Sequence, residues 1–215
     1  MTAAPPPGAL ETLPVGFYQR PVLEVARDVL GRLLVHDAPE GRSAVRIVEA
    51  EAYDGSGRDP ASHAYRGRTA RNAVMFGPPG HLYVYLTYGM HFGANVVCAP
   101  AGTAQAVLLR AGEPVLGAEL MAARRPSARP RDLTRGPGRL TAALGIDLAA
   151  NGSDLRAGPV LLTAGWPVDD AAVAWTGRVG VTRAADRPWR ALVTTSPWVS
   201  RGPRRQDAVP RREGG

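Results

Sequence analysis

Apolar residues in "RPVLEVARDVLGRLL" fall at Val22, Val25, Ala26, Val29 and Leu30, the three-and-four spacing of a single helix face. Pro21 suits the first turn and Gly31 the stop, so the spacing predicts a helix between them. Period two then takes over. "RLLVHDAPEGRSAVRIVEAEAYDG" reads as two strands around the turn "DAPEG". A polar Gly/Arg-rich loop follows over 54–72, then strands over about 81–87 and 105–111. "EPVLGAELMAARR" has the pattern of an amphipathic helix, acids early and arginines late, in the sense the helix dipole favours. "RGPGRLTAALGI" predicts a shorter helix with Pro137 near its start. Past residue 150, "PVLLTAG", "RVGVT" and "RALVTT" read as strands joined by turns.

No internal repeat and no interdomain linker interrupts this pattern. It predicts a single α+β domain over 15–200, with a mainly antiparallel curved sheet, flanking helices and a protruding aromatic hairpin. The Pro/Ala-rich segment 1–14 and the basic, apolar-poor tail 201–215 are expected to be disordered.

Charge changes the picture. The 26 positive side chains, all arginine, face 19 acids, a net charge of +7. Codon bias explains why arginine stands where lysine could, but an excess of this size favours a polyanion, nucleic acid first. The single cysteine, Cys98, excludes an internal disulfide and suggests a reducing compartment; in the apolar run "NVVCAP" it reads as a small buried hydrophobe. Nothing resembles a membrane span or a signal peptide. The expectation is a cytoplasmic, nucleoid-associated protein working as a monomer, away from membranes.

What is missing narrows the chemistry. Without lysine there is no P-loop. One Cys with His36, His63, His81 and His91 at scattered positions does not make a zinc site. Neither the nucleobase-deaminase signature nor a GxSxG elbow is present. The pattern implies chemistry with no metal and no cofactor. Its acid/base candidate is "RIVEAEAYDG", where Glu49, Glu51 and Tyr53 share one face of an extended chain and Val48, Ala50 and Ala52 the other. The same run is also an ordinary amphipathic strand with a wet acidic face, and periodicity does not choose between Glu49 and Glu51. Arg110 ends the apolar run "AQAVLLR", so its charge is carried toward buried surroundings and needs an anionic partner. In "HAYRGRTARN", Arg66, Arg68, Thr69 and Arg71 suit phosphate contacts, as they would suit any exposed basic loop. In "HLYVYLTYGMHFGANVV", Tyr83 and Tyr85 keep strand phase, whereas Tyr88 breaks it beside Gly89. A ring at such a tip, on a basic protein, could wedge between stacked bases.

Taken together, "VEAEAYDG", "RTARNAVMFGPPGHLYVYLTYGMHFGANVV", "AVLLRAGEP", "RGPGRLTAALGI" and "SPWVS" resemble the alkyladenine (3-methyladenine) DNA glycosylase family, in its order and at its spacing, from about Leu13 to Ser200. The resemblance implies a monofunctional glycosylase acting on double-stranded DNA that contains damaged purines. Such an enzyme flips the purine out of the duplex and hydrolyses its N-glycosidic bond. By the same resemblance Glu51 is the general base that activates water, and Arg110 helps to hold that water. Tyr53 and His63 contact the flipped base, with Tyr85 on its opposite side, and Asn95 rejects guanine. Tyr88 fills the vacated stack. Gly136 and Arg139 join Arg66, Arg68, Thr69 and Arg71 as expected contacts to the DNA backbone. Two other readings share some of these features: a non-catalytic nucleic-acid-binding module, and a carbohydrate glycosidase with paired carboxylates.

Overall fold

The computed structural model describes residues 10–87 and 89–202. In chain order the elements are α1 (Val15–Tyr18), α2 (Val22–Asp28), β1 (Leu33–Ala38), β2 (Gly41–Tyr53), β3 (Leu82–Thr87), β4 (His91–Cys98), β5 (Gln105–Leu116), α3 (Ala118–Arg124), α4 (Pro137–Leu144), β6 (Val160–Thr163), β7 (Val173–Thr176) and β8 (Arg190–Val193). The strands form one antiparallel sheet in the order β3-β4-β5-β2-β1-β6, from which β8 branches off β2 and carries β7. The α+β fold and the mainly antiparallel sheet are as the pattern predicts.

Strand β2 organises the sheet. Along one edge it pairs with β5; along the other its first half pairs with β1 and its second half with β8. Its Val48, Ala50 and Ala52 enter the main core, as the alternation requires, together with Val25 and Leu30 from the α2 region and Leu140 and Leu144 from α4. A fully buried leucine such as Leu140 holds this layer together, and its truncation to alanine costs about 2–5 kcal/mol. The predicted stop at Gly31 has a steric basis. Its φ is +84°, and a Cβ there would lie 1.9 Å from the carbonyl oxygen of Trp166, so α2 can hand the chain to β1 only at a glycine.

Two predicted elements and one omission need correction. "EPVLGAELMAARR" is not one helix: Glu113–Leu116 finishes β5, with Pro114 opposite Val45 and Leu116 opposite Ala44, and α3 starts only after Gly117. Pairing with β2 wins over the local helical pattern. "RVGVT" is not a strand. The backbone N–H of Val179 goes to a carboxylate and the Arg178 side chain to Asp59, and β7 takes its place beside β8. The segment 91–98, between the predicted strands, forms β4 and pairs with both β3 and β5.

Most of 1–14 and 201–215 lies outside the described residues, as does Tyr88, so the aromatic tip of the β3–β4 hairpin does too. Within the first stretch, Thr12 bridges Thr163 and the N–H of Leu13 donates to the carbonyl of Leu162, which places 12–13 along β6.

Candidate active site

The ladder between β2 and β5 is irregular at its centre. Its register runs Ile47–Gly112, Glu49–Ala111, Ala50–Leu109, leaving Val48 on one strand and Arg110 on the other without a directly opposed residue. Irregularities of this kind re-aim side chains out of strict alternation. Here one guanidinium meets two carboxylates. Arg110 donates Nε to Glu49 Oε1 at 2.8 Å and Nη1 to Glu51 Oε2 at 3.2 Å. Arg110 is buried, and both glutamates are fully so. The acidic face is therefore not wet, and the arginine has the partner its position demands.

The two glutamates differ in what encloses them. Glu49 also accepts from Arg190 Nε at 2.7 Å, the Ser200 N–H at 2.6 Å and the Ser200 hydroxyl at 2.8 Å. Burial alone would raise its pKa, but Arg110 and Arg190 outweigh that and hold the carboxyl below the usual range. Besides Arg110, Glu51 accepts from the Tyr53 hydroxyl at 2.9 Å and the Val179 N–H at 2.7 Å. Three donors on a carboxylate with about four lone-pair sites leave room for one more. Tyr53, Arg110 and Val179 all line one cleft, while Arg190 and Ser200 do not. Geometry thus separates the two acids that periodicity leaves equivalent: all three donors to Glu51 line the cleft, whereas Glu49 shares only Arg110 with it and is otherwise held by Arg190 and Ser200.

That cleft has a volume of about 470 Å³, within the range of a small-molecule site. Its walls are aromatic. The rings of Tyr83 and Tyr85 stack at 5.6 Å, His63 meets Tyr85 edge-on at 4.4 Å, and His63 Nδ1 lies 3.1 Å from the Tyr83 hydroxyl. His63 and Tyr85 are therefore neighbours in direct contact. Burial pushes the Tyr83 phenol up to about 12. Partial desolvation of the His63 ring, then the charge of Arg71, holds its pKa below that of an ordinary imidazole. Asn95, buried on β4, donates Nδ2 to the carbonyl of Tyr83 at 3.1 Å and borders the same cleft. Opposite Tyr85 on β4 is Gly93; a Cβ there would come within 2.8 Å of the phenol ring, so its bare backbone makes space for that ring.

A family profile described as Methylpurine-DNA glycosylase (MPG) matches residues 16–197. The chain belongs to this family. It is 52% identical over 199 residues to a protein of Streptomyces avermitilis, covering 88% of this chain and 93% of the relative. It is 51% identical over 193 residues to one of Methanoculleus marisnigri, covering 88% and 99%. With one of Burkholderia cenocepacia it shares 49% over 214 residues, covering 98% and 97%. The names of all three carry the words "3-methyladenine DNA glycosylase".

In this methylpurine-DNA glycosylase fold, the basic residues singled out in the sequence divide between the loop after His63, the aromatic cleft and a second cleft. Arg66, Arg68 and Thr69 are exposed on a loop folded by Asn72, whose Nδ2 donates to the carbonyls of His63 and Gly67 and whose Oδ1 accepts the Thr69 N–H. Arg71 instead lines the cleft, its guanidinium 5.7 Å from the Tyr85 ring centroid. Gly136 and Arg139 border a second cleft of about 620 Å³ with Arg125, Arg129, Arg135 and Arg201. Asp132 is its single lining carboxylate among the described residues, and it pairs with Arg139 at 3.2 Å. Arg110 lines both clefts.

Several functional positions escape sequence reasoning. Arg190, Val179 and Gly93 carry no local signal, because each matters only through a distant partner. Ser200 belongs to the quoted "SPWVS" but has no readable role there. Tyr83 is visible as a strand residue only.

Proposed function

We propose that this protein is a monofunctional DNA glycosylase. It flips alkylated or deaminated purines out of duplex DNA (the 3-methyladenine, 7-methylguanine, hypoxanthine and ethenoadenine class) and hydrolyses the N-glycosidic bond with a Glu51-activated water, leaving an abasic site. One observation carries the reading: Glu51 is fully buried with an acceptor site to spare, and the three groups that donate to it, Tyr53, Arg110 and Val179, all line an aromatic cleft in a basic protein.

Extruding a base costs a few kcal/mol of stacking and pairing, least for a damaged one. An aromatic in the gap recovers about 1–3 kcal/mol, the role assigned to Tyr88. The flipped purine enters the aromatic cleft, with Tyr53 on one side and the Tyr85–His63 pair on the other, and Asn95 opposes the exocyclic amine of guanine. Cationic purines gain further from electron-rich rings. The water sits at the free acceptor site of Glu51, within reach of Arg110. As the bond to the base breaks, the carboxylate takes the water's proton and its charge offsets that of the sugar oxocarbenium ion. The arginines of the loop and of the second cleft hold phosphates without reading sequence. The enzyme works as a monomer in the reducing cytoplasm. With no lysine in the chain, it does not nick the strand through a Schiff base.

The test is base release from a set of duplexes, each with one lesion. Glu51→Gln keeps the shape of the site and is expected to bind damaged duplex while releasing base about 10²–10⁴-fold more slowly. Release by this variant at the wild-type rate would refute the assignment.

A further inference from the structure

Behind the cleft a buried ion pair grips three of its walls. Arg178, fully buried at its side chain with its partner, donates Nη1 and Nη2 to the two carboxylate oxygens of Asp59 at 2.6 and 2.9 Å. Nη1 also reaches the carbonyl of Ala52 at 3.0 Å, next to Tyr53. The guanidinium carbon lies 4.6 Å from the centroid of the Tyr53 ring and 5.3 Å from that of Trp189. Tyr53 lines the cleft and Arg178 does not, so of the two it is the ring that meets the cavity. The following residue, Val179, gives its N–H to Glu51. Asp59 accepts from the N–H groups of Asp54 and Ala61 and so shapes the loop that leads to His63.

Support alone does not explain a charged pair here. Taking two ions out of water costs about as much as their attraction returns, and well-packed apolar residues could brace the same segments. An apolar pair could not place a positive charge on the back of a ring that meets the substrate. A cation on one face uses the ring's quadrupole, and its field opposes a second cation on the other face. Asp59 offsets part of this field, but the guanidinium is the group in contact with the ring. In the opposite sense, the Tyr53 hydroxyl donates to Glu51, which makes the ring more electron-rich.

We infer that Arg178 is a specificity-determining residue: its charge on Tyr53 lowers the preference of the cleft for cationic N-alkylated purines over neutral ones and so broadens the range of bases accepted. This rests on the glycosylase reading above. The experiment compares single-turnover base release from duplexes holding 7-methylguanine, a cation, and hypoxanthine, a neutral base. Replacing the pair by Arg178→Gln with Asp59→Asn is expected to raise the cationic-to-neutral rate ratio by about three- to tenfold. Asp59→Asn alone leaves the guanidinium uncompensated and is expected to lower the ratio. Arg178→Lys keeps the charge, so the ratio stays within about twofold of wild type even where both rates fall. Both rates falling together in the neutral pair, at an unchanged ratio, would reduce Arg178 to a brace and overturn the proposal. If the neutral pair does not fold, equal ratios in Asp59→Asn and Arg178→Lys overturn it as well. Wild-type protein that releases neither base would sink the glycosylase reading itself, a result distinct from either.

Discussion

Replacing Glu49 with glutamine takes one negative charge from a buried group of four: Arg110 and Arg190 against Glu49 and Glu51. The side chain keeps its length, but one of its two oxygens becomes an NH₂ donor. In the native protein Oε1 accepts from Arg110, Arg190 and the Ser200 hydroxyl, and Oε2 accepts from the Ser200 N–H. Whichever way the amide turns, it sets a donor against a donor and leaves a guanidinium short of charge. Breaking a buried ion pair from one side costs about 3–5 kcal/mol. In a domain of this size each kcal/mol lowers the melting temperature by about 2–4 °C, so a fall of roughly 6–20 °C is expected. Glu51 keeps its own three donors, and only the second anchor of Arg110 is lost. Base release by the folded variant should then fall by roughly one power of ten, well short of the loss in Glu51→Gln.

The assays are thermal melting across pH and single-turnover release below the variant's melting point. The folded pKa of Glu49 lies below its unfolded value of about 4.3. The stability it contributes is therefore complete above that value and lost as pH falls through it toward the folded pKa. Glu49→Gln should lack that acid limb, so its curve and the wild-type curve converge at low pH. A variant as stable as wild type at neutral pH would refute the electrostatic account. Loss of release in Glu49→Gln with retention in Glu51→Gln would exchange the two roles.

How far the site can be read from the sequence follows from the range of the interactions. The face shared by Glu49, Glu51 and Tyr53 is legible, because strand alternation is local and β2 keeps it from Val48 to Tyr53. The burial of Arg110 is legible for the same reason, from an apolar run that ends in a charge. The ranking of the glutamates is not. It depends on Arg190, Ser200 and Val179, more than 100 residues further along the chain, and on an irregular register between β2 and β5. "RVGVT" fails as a strand for a related reason. Its alternation is real, but its polar groups are claimed by Glu51 and Asp59, which no local window contains. "EPVLGAELMAARR" divides because its first residues find a partner in β2, and tertiary pairing overrides helical propensity.

Three further outcomes test the rest of the reading. Arg139→Ala should weaken binding to duplexes of any sequence and reduce the slope of log affinity against log salt by about 1; an unchanged slope would remove that residue from the phosphate track. Borohydride added during turnover should trap no covalent protein–DNA adduct, and a trapped adduct would contradict base excision by water alone. Gly93→Ala tests the shape of the cleft. Gly93 has ordinary extended backbone and bears no catalytic group, yet the added methyl would lie 2.8 Å from the Tyr85 ring. That ring is stacked on Tyr83 and in edge contact with His63, so its nearest escape is into the cleft. The expected result is a melting temperature lowered by only a few degrees, for an overpacking cost of about 1–3 kcal/mol, but a much larger loss of base release. Equal and small losses in both would mean that Tyr85 does not define the space the base occupies.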